Sequence, residues 1–130
     1  MNISTESLFK LAKISLAFLW VFTGLTSLFF SPEFGLNLLK TINITGVSAE
    51  LLISSGAILD IALGIWLFLS WKIKLCCKIQ FFAIITYTIL LSIIDASFWL
   101  HPFGPLTKNL PILVLILMVF VNEENATNFN

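Results

Sequence analysis

Residues 11–30 read LAKISLAFLWVFTGLTSLFF, and only one of these positions, Lys13, carries a charge. A helix needs roughly 20 residues to cross a hydrocarbon core of about 30 Å, and this stretch supplies them. A helix buried in a water-soluble globule would show a polar stripe along its outer face; none is present here. With its flanks the first apolar stretch covers about 8–30 and stops at Ser31-Pro32-Glu33. A second covers about 51–71 and is closed by Lys72 and Lys74. A third, about 75–100, ends at His101-Pro102, and a fourth, about 106–121, precedes Asn122-Glu123-Glu124. The first three suffice by length. The fourth is short, and spans only if Lys108 and Asn109 lie in the headgroup zone or face the bundle interior. The expected fold is all-α: one four-helix transmembrane bundle over residues 1–130, up-down-up-down because its loops are short.

Composition supports the same reading. Of 130 residues, 58% are hydrophobic and 11% charged, with a mean hydropathy of +1.02, whereas a soluble domain carries about a quarter of its residues charged. Seven lysines and seven carboxylates cannot cover a globule of this length. Net charge is zero, which argues against nucleic acid as a partner. The adjacent Cys76 and Cys77 read as reduced thiols at a helix start, because a vicinal bridge strains the intervening peptide, and no metal-ligand spacing surrounds them. The first stretch is too long for a signal-peptide core and no small-x-small cleavage site follows it, so it is read as retained.

Orientation follows from lysine. If the N-terminus is cytoplasmic, Lys10, Lys13, Lys72, Lys74 and Lys78 lie inside and only Lys40 and Lys108 outside, as the positive-inside rule requires. Both termini are then cytoplasmic and the protein crosses the membrane several times. The 31–50 loop, with Phe34, Leu36, Leu38, Leu39, Ile42 and Ile44, reads as a short interfacial helix, and Glu50 as a cap or external polar group. Residues 127–130 read as a disordered tail. Trp66, Trp71 and Trp99 fall near span ends, where aromatic residues anchor helices.

Asp60 is the sharpest chemical signal. It sits near the middle of the second span, about ten residues or roughly 15 Å below the external boundary. Facing lipid there, it would cost roughly 2.5–3.5 kcal/mol, so it is expected to point inward, partnered or protonated. Gly56, Asp60 and Gly64 share one face, where small residues let a second helix approach. Trp20, Thr23, Thr86 and Tyr87 are candidate hydrogen-bond partners at similar depth. Asp60 reads either as a proton- or ligand-binding carboxyl or as interhelical glue.

The second signal is the turn His101-Pro102-Phe103-Gly104-Pro105-Leu106-Thr107-Lys108-Asn109-Leu110-Pro111. Pro102, Gly104 and Pro105 fix a rigid turn, and Pro111 in the first turns of the last helix would leave backbone carbonyls for other partners. Asp95, His101, Lys108 and Asn109 are expected to gather at the external end. His101 can titrate near neutrality, or be purely structural; Asp95 and Lys108 can be an interfacial ion pair. No nucleophile–base pair, phosphate loop or metal cluster is legible, and a single His excludes bis-histidine haem ligation within one chain.

This eleven-residue turn resembles the signature before the last helix in the DoxX-like family of small bacterial four-helix membrane proteins. The first span, Leu16 to Leu25, is similar to the family's first span. Gly56-Ala57-Ile58-Leu59-Asp60-Ile61-Ala62-Leu63-Gly64 is similar to its second, where relatives commonly place an acidic residue. The resemblance covers roughly residues 8–121 and implies the fold more than the function. It implies a link to quinone reduction and an oxidoreductase partner, membrane-bound or soluble, with Asp60, His101, Lys108 and Asn109 as matched positions. The expected role is a non-catalytic membrane subunit or accessory protein of a redox or quinone-linked system. The alternative is a small homo-oligomeric carrier or channel using Asp60, and a third reading is a structural anchor. Quinone is the one cofactor class implied.

Overall fold

In a computed structural model, residues 2–102 and 104–128 are described. They form five helices: α1 (Thr5–Leu25), α2 (Pro32–Lys40), α3 (Val47–Phe68), α4 (Ile73–Ile94) and α5 (Asn109–Asn128). A π-helical turn, Thr26–Phe30, extends α1, and a 3₁₀ turn, Ala96–Trp99, follows α4. Four of the helices, α1 with its extension, α3, α4 and α5, are long and apolar enough to cross a bilayer.

Local chemistry sets these boundaries. Ser4 caps α1, its hydroxyl accepting from the Ser7 N–H at 3.2 Å. The π turn closes with Ser31 N–H donating to Thr26 O at 2.8 Å, and Pro32 then opens α2 at a position where its missing N–H is harmless. The 31–50 segment does contain the expected short helix. Gly46, at φ 68°, starts α3, and no side chain caps it, Glu50 included. The turn from α3 to α4 places both Ser70 and Lys72 in the left-handed region, at φ 59° and 46°. It is held by the Trp66 indole N–H, which donates to Trp71 O at 2.6 Å, and by the Lys13 ammonium, which donates to the Ser70 hydroxyl.

Several boundaries differ from the sequence reading: the first span starts at Thr5 rather than about 8, and the second is Val47–Phe68 rather than about 51–71. The third span stops at Ile94, because Asp95 turns back to accept from the Ser97 N–H at 3.0 Å and starts the 3₁₀ turn. The last helix begins at Asn109 and runs through Val121 to Asn128, so Thr127 and Asn128 are helical rather than part of a loose tail; Phe129 and Asn130 lie outside the described residues, as does Phe103 in the turn. Pro111 is the third residue of α5, and the Thr107 carbonyl it cannot reach accepts instead from Leu110 N–H at 3.2 Å. The Thr107 carbonyl is therefore not left open.

The helices form an up-down ring in which α1 touches α3 and α5, α4 touches α5, and the α3–α4 seam is thin. Leu16, Ala17, Trp20, Leu63, Leu67, Cys76, Cys77, Ile84, Ile116 and Val119 fill the interior. Phe18, Phe22, Ile58, Phe82, Ile93 and Val114 face outward, an apolar exterior suited to lipid.

The closest approach is between α1 and α3. A Cβ on Gly64 would stand 2.7 Å from Ala17 O, and one on Gly24 would stand 2.6 Å from Ala57 O. By contrast, a Cβ on Gly56 would meet only the Tyr87 hydroxyl, at 3.6 Å. Gly64→Ala is therefore expected to destabilise the bundle by about 1–3 kcal/mol through overpacking, with Gly56→Ala near neutral. Thermal unfolding of both variants in one detergent checks this; equal melting temperatures would refute the close contact.

Candidate functional site

Asp60 occupies the fourteenth position of α3, about 20 Å of helical rise from Val47. It is 6% exposed and points into the α3–α4 seam, where the Tyr87 hydroxyl donates to its Oδ1 at 3.2 Å. Of the four expected partners, Tyr87 alone bonds it. The Trp20 indole is engaged elsewhere, the Thr86 hydroxyl donates to Phe82 O at 2.8 Å within its own helix, and Thr23 faces outward.

The thin seam widens beside this pair into a cleft of about 580 Å³. Leu52, Leu59, Leu90, Leu91 and Ile94 make its walls, and Gly35, Leu38 and Leu39 bring α2 over it. Its polar side chains are Ser27, Ser55, Asp60 and Tyr87, and Asp60 is its sole ionisable carboxyl. Gly56 keeps the approach to Tyr87 clear. Such a site offers an apolar molecule one point of hydrogen bonding: a phenol that donates, and a carboxyl that accepts when ionised and donates when protonated.

A second buried polar centre was not legible beforehand. Gln80, fully buried, accepts from the Trp20 indole N–H at 2.8 Å and donates to Cys76 Sγ at 3.3 Å. Its signal in the sequence is faint: the chain's lone Gln, inside an apolar run, four residues after Cys76 and seven before Tyr87. Those intervals put all three on one face of α4, with buried Ile84 between Gln80 and Tyr87.

The polar residues around the last turn do not assemble with Asp60. Asn109 reaches between spans, its side-chain amide donating to Thr88 Oγ1 at 2.8 Å. Trp99 donates to Ser92 Oγ at 2.9 Å, and Ser92 to Thr88 O at 2.6 Å. Asp95 is exposed and accepts from the Ser97 hydroxyl at 2.6 Å; that bond and the Ser97 N–H hold its carboxyl below the usual range. It forms no ion pair with Lys108 among the described residues. His101 and Lys108 are exposed. His101 O accepts from Gly104 N–H at 2.9 Å, with Gly104 at φ 57° between Pro102 and Pro105, and fully buried Leu106 anchors the turn.

Gln80→Leu strands the buried Trp20 N–H, so it is expected to destabilise by about 1–3 kcal/mol. The double variant Trp20→Phe with Gln80→Leu should recover part of that loss. Melting curves of the single and double variants decide; strict additivity would show the pair to be uncoupled.

The profile of the DoxX-like family matches residues 17–117, a segment that contains Asp60, Tyr87, Gln80 and the whole of the last interhelical turn. No curated protein and no solved structure matches the chain. Four helices long and apolar enough to cross a membrane and a family match over most of the length agree: this chain belongs to the DoxX-like family.

Proposed function

We propose that the chain is a non-catalytic membrane subunit or accessory protein of a redox, quinone-linked system, and that the α3–α4 cleft receives the head group of a quinone. The observation that carries this reading is the pairing of Tyr87 with Asp60 in a cleft walled mainly by apolar side chains. A quinone carbonyl accepts from the Tyr87 hydroxyl or from protonated Asp60, and a hydroquinone hydroxyl donates to the ionised carboxylate. The isoprenoid tail lies along Leu90, Leu91 and Ile94 and leaves through the thin seam into lipid. Electrons come from an oxidoreductase partner, membrane-bound or soluble.

In this reading the membrane is a bacterial plasma membrane with both termini on its cytoplasmic face. The start of α1 and the end of α5 line one pocket, and the α3–α4 turn joins them through Lys13 and Ser70. Five of the seven lysines thus sit at one end, which supports a cytoplasmic placement. The alternative, an oligomeric carrier using Asp60, would need a path past Ile84, the buried apolar residue between Tyr87 and Gln80; such a path would have to form between copies.

Titration of the purified chain in lipid nanodiscs with a short-chain ubiquinone tests the proposal. Asp60→Asn and Tyr87→Phe are each expected to weaken binding about tenfold, the worth of one hydrogen bond to a charged group, while His101→Gln leaves it unchanged. Absence of saturable binding, or equal binding by Asp60→Leu, would sink it. Proton flux in liposomes that vanishes in Asp60→Asn, without quinone binding, would favour the carrier.

A further inference from the structure

The lysine-rich end carries a second recess, independent of the Asp60 cleft. It lies between the beginning of α4 and the end of α5, has a volume of about 270 Å³, and is lined by Cys77, Phe81, Phe82, Ile116, Leu117 and Phe120. Cys77 and Ile116 are buried and make its floor. Lys78 is its one charged lining residue, with its ammonium 5.9 Å from the centre of the Phe120 ring. Lys74, Lys78 and Phe81 follow at intervals of four and three, so one stripe of α4 leads from charge at the membrane surface into the apolar groove.

The other lysines at this end are engaged away from the groove. Lys10 pairs with Glu6 at 3.3 Å, Lys13 donates to Ser70, and Lys72 lies over the Trp71 ring at 4.9 Å. Lys74 and Lys78 make no ion pair with a carboxylate among the described residues. Against five lysines, Glu6, Glu123 and Glu124 are the acidic groups here, so the end is positive. A groove of about 270 Å³ suits a single hydrocarbon chain, and Lys78 in its lining, with Lys74 one turn away on the same stripe of α4, suits a phosphate at the interface.

We propose that this groove binds an anionic glycerophospholipid, with one acyl chain between α4 and α5 and the phosphate on Lys74 and Lys78. The site selects headgroup charge, which distinguishes it from the apolar exterior wetted by any lipid.

Native mass spectrometry of the full chain in mild detergent, supplied with equal phosphatidylglycerol and phosphatidylcholine of matched acyl chains, reads this selection directly. Phosphatidylglycerol adducts are expected to exceed phosphatidylcholine adducts by roughly thirtyfold, as two lysines near the surface imply. The Lys74→Gln/Lys78→Gln variant should lose that excess, whereas Lys10→Gln/Lys40→Gln should keep it. Leu117→Trp, which fills the groove and leaves every lysine in place, should lose the bound lipid and guards against misfolding of the lysine variant. Equal adducts of the two lipids on the native chain, an equal loss in the Lys10/Lys40 control, or full retention in Leu117→Trp would each overturn the proposal.

Discussion

The bundle depends on the approach of α1 to α3. In lipid, helices gain little from hiding apolar surface, and association rests on close contact and on polar bonds. Here the contact is reciprocal. Gly64 lies against the backbone of Ala17, and Gly24 against that of Ala57. Each helix thus offers a small pair seven residues apart, Ala17 with Gly24 and Ala57 with Gly64, which is two turns along one face. Commitment of α3 to α1 on this face leaves its other side lightly covered. The thin seam toward α4, and the cleft within it, follow from that commitment.

Polar bonds complete what close contact begins. Among the described residues no buried side-chain nitrogen or oxygen lacks a partner, as an interior without water requires. Two layers do this, at different depths. Trp20, Gln80 and Cys76 tie α1 to α4 across the core, and Tyr87 with Asp60 ties α4 to α3. The first layer is sealed by Leu16, Leu63 and Leu67, all fully buried. The second opens onto the cleft. One joins helices within a sealed interior, and the other leaves its carboxyl lining the cleft.

The spans, the short helix α2 and the inward Asp60 were legible because each follows from a one-dimensional rule: length, amphipathic spacing, and the expense of charge in lipid. Residues whose role depends on which helix lies opposite were not. Trp20 and Thr23 are at the right depth for Asp60, yet Trp20 turns to Gln80 and Thr23 to the exterior, because α1 presents its Gly24 face to α3. Gln80 escaped notice for the same reason, since its partner lies sixty residues away. The stop at Ile94 was hidden by the apolar Phe98-Trp99-Leu100, which prolongs the hydropathy of the span after Asp95 and Ser97 have already ended the helix.

The two ends of the bundle constrain access in opposite ways. At the α2 end, Leu38 and Leu39 lie over the cleft, and the Phe34 and Phe98 rings meet at 6.1 Å to hold α2 against the segment after α4. A hydrated ion approaching from that side would have to cross an apolar cover. At the lysine-rich end the α3–α4 turn is tied down by Lys13 and by the Trp66 indole, and Ile84 and Leu63 close the interior beneath Asp60. The seam between α3 and α4 is the remaining approach, and it faces the hydrocarbon. Under the quinone proposal, this carboxyl would be reached from lipid, which is why an amphipathic ligand suits Asp60 better than a solute arriving from water.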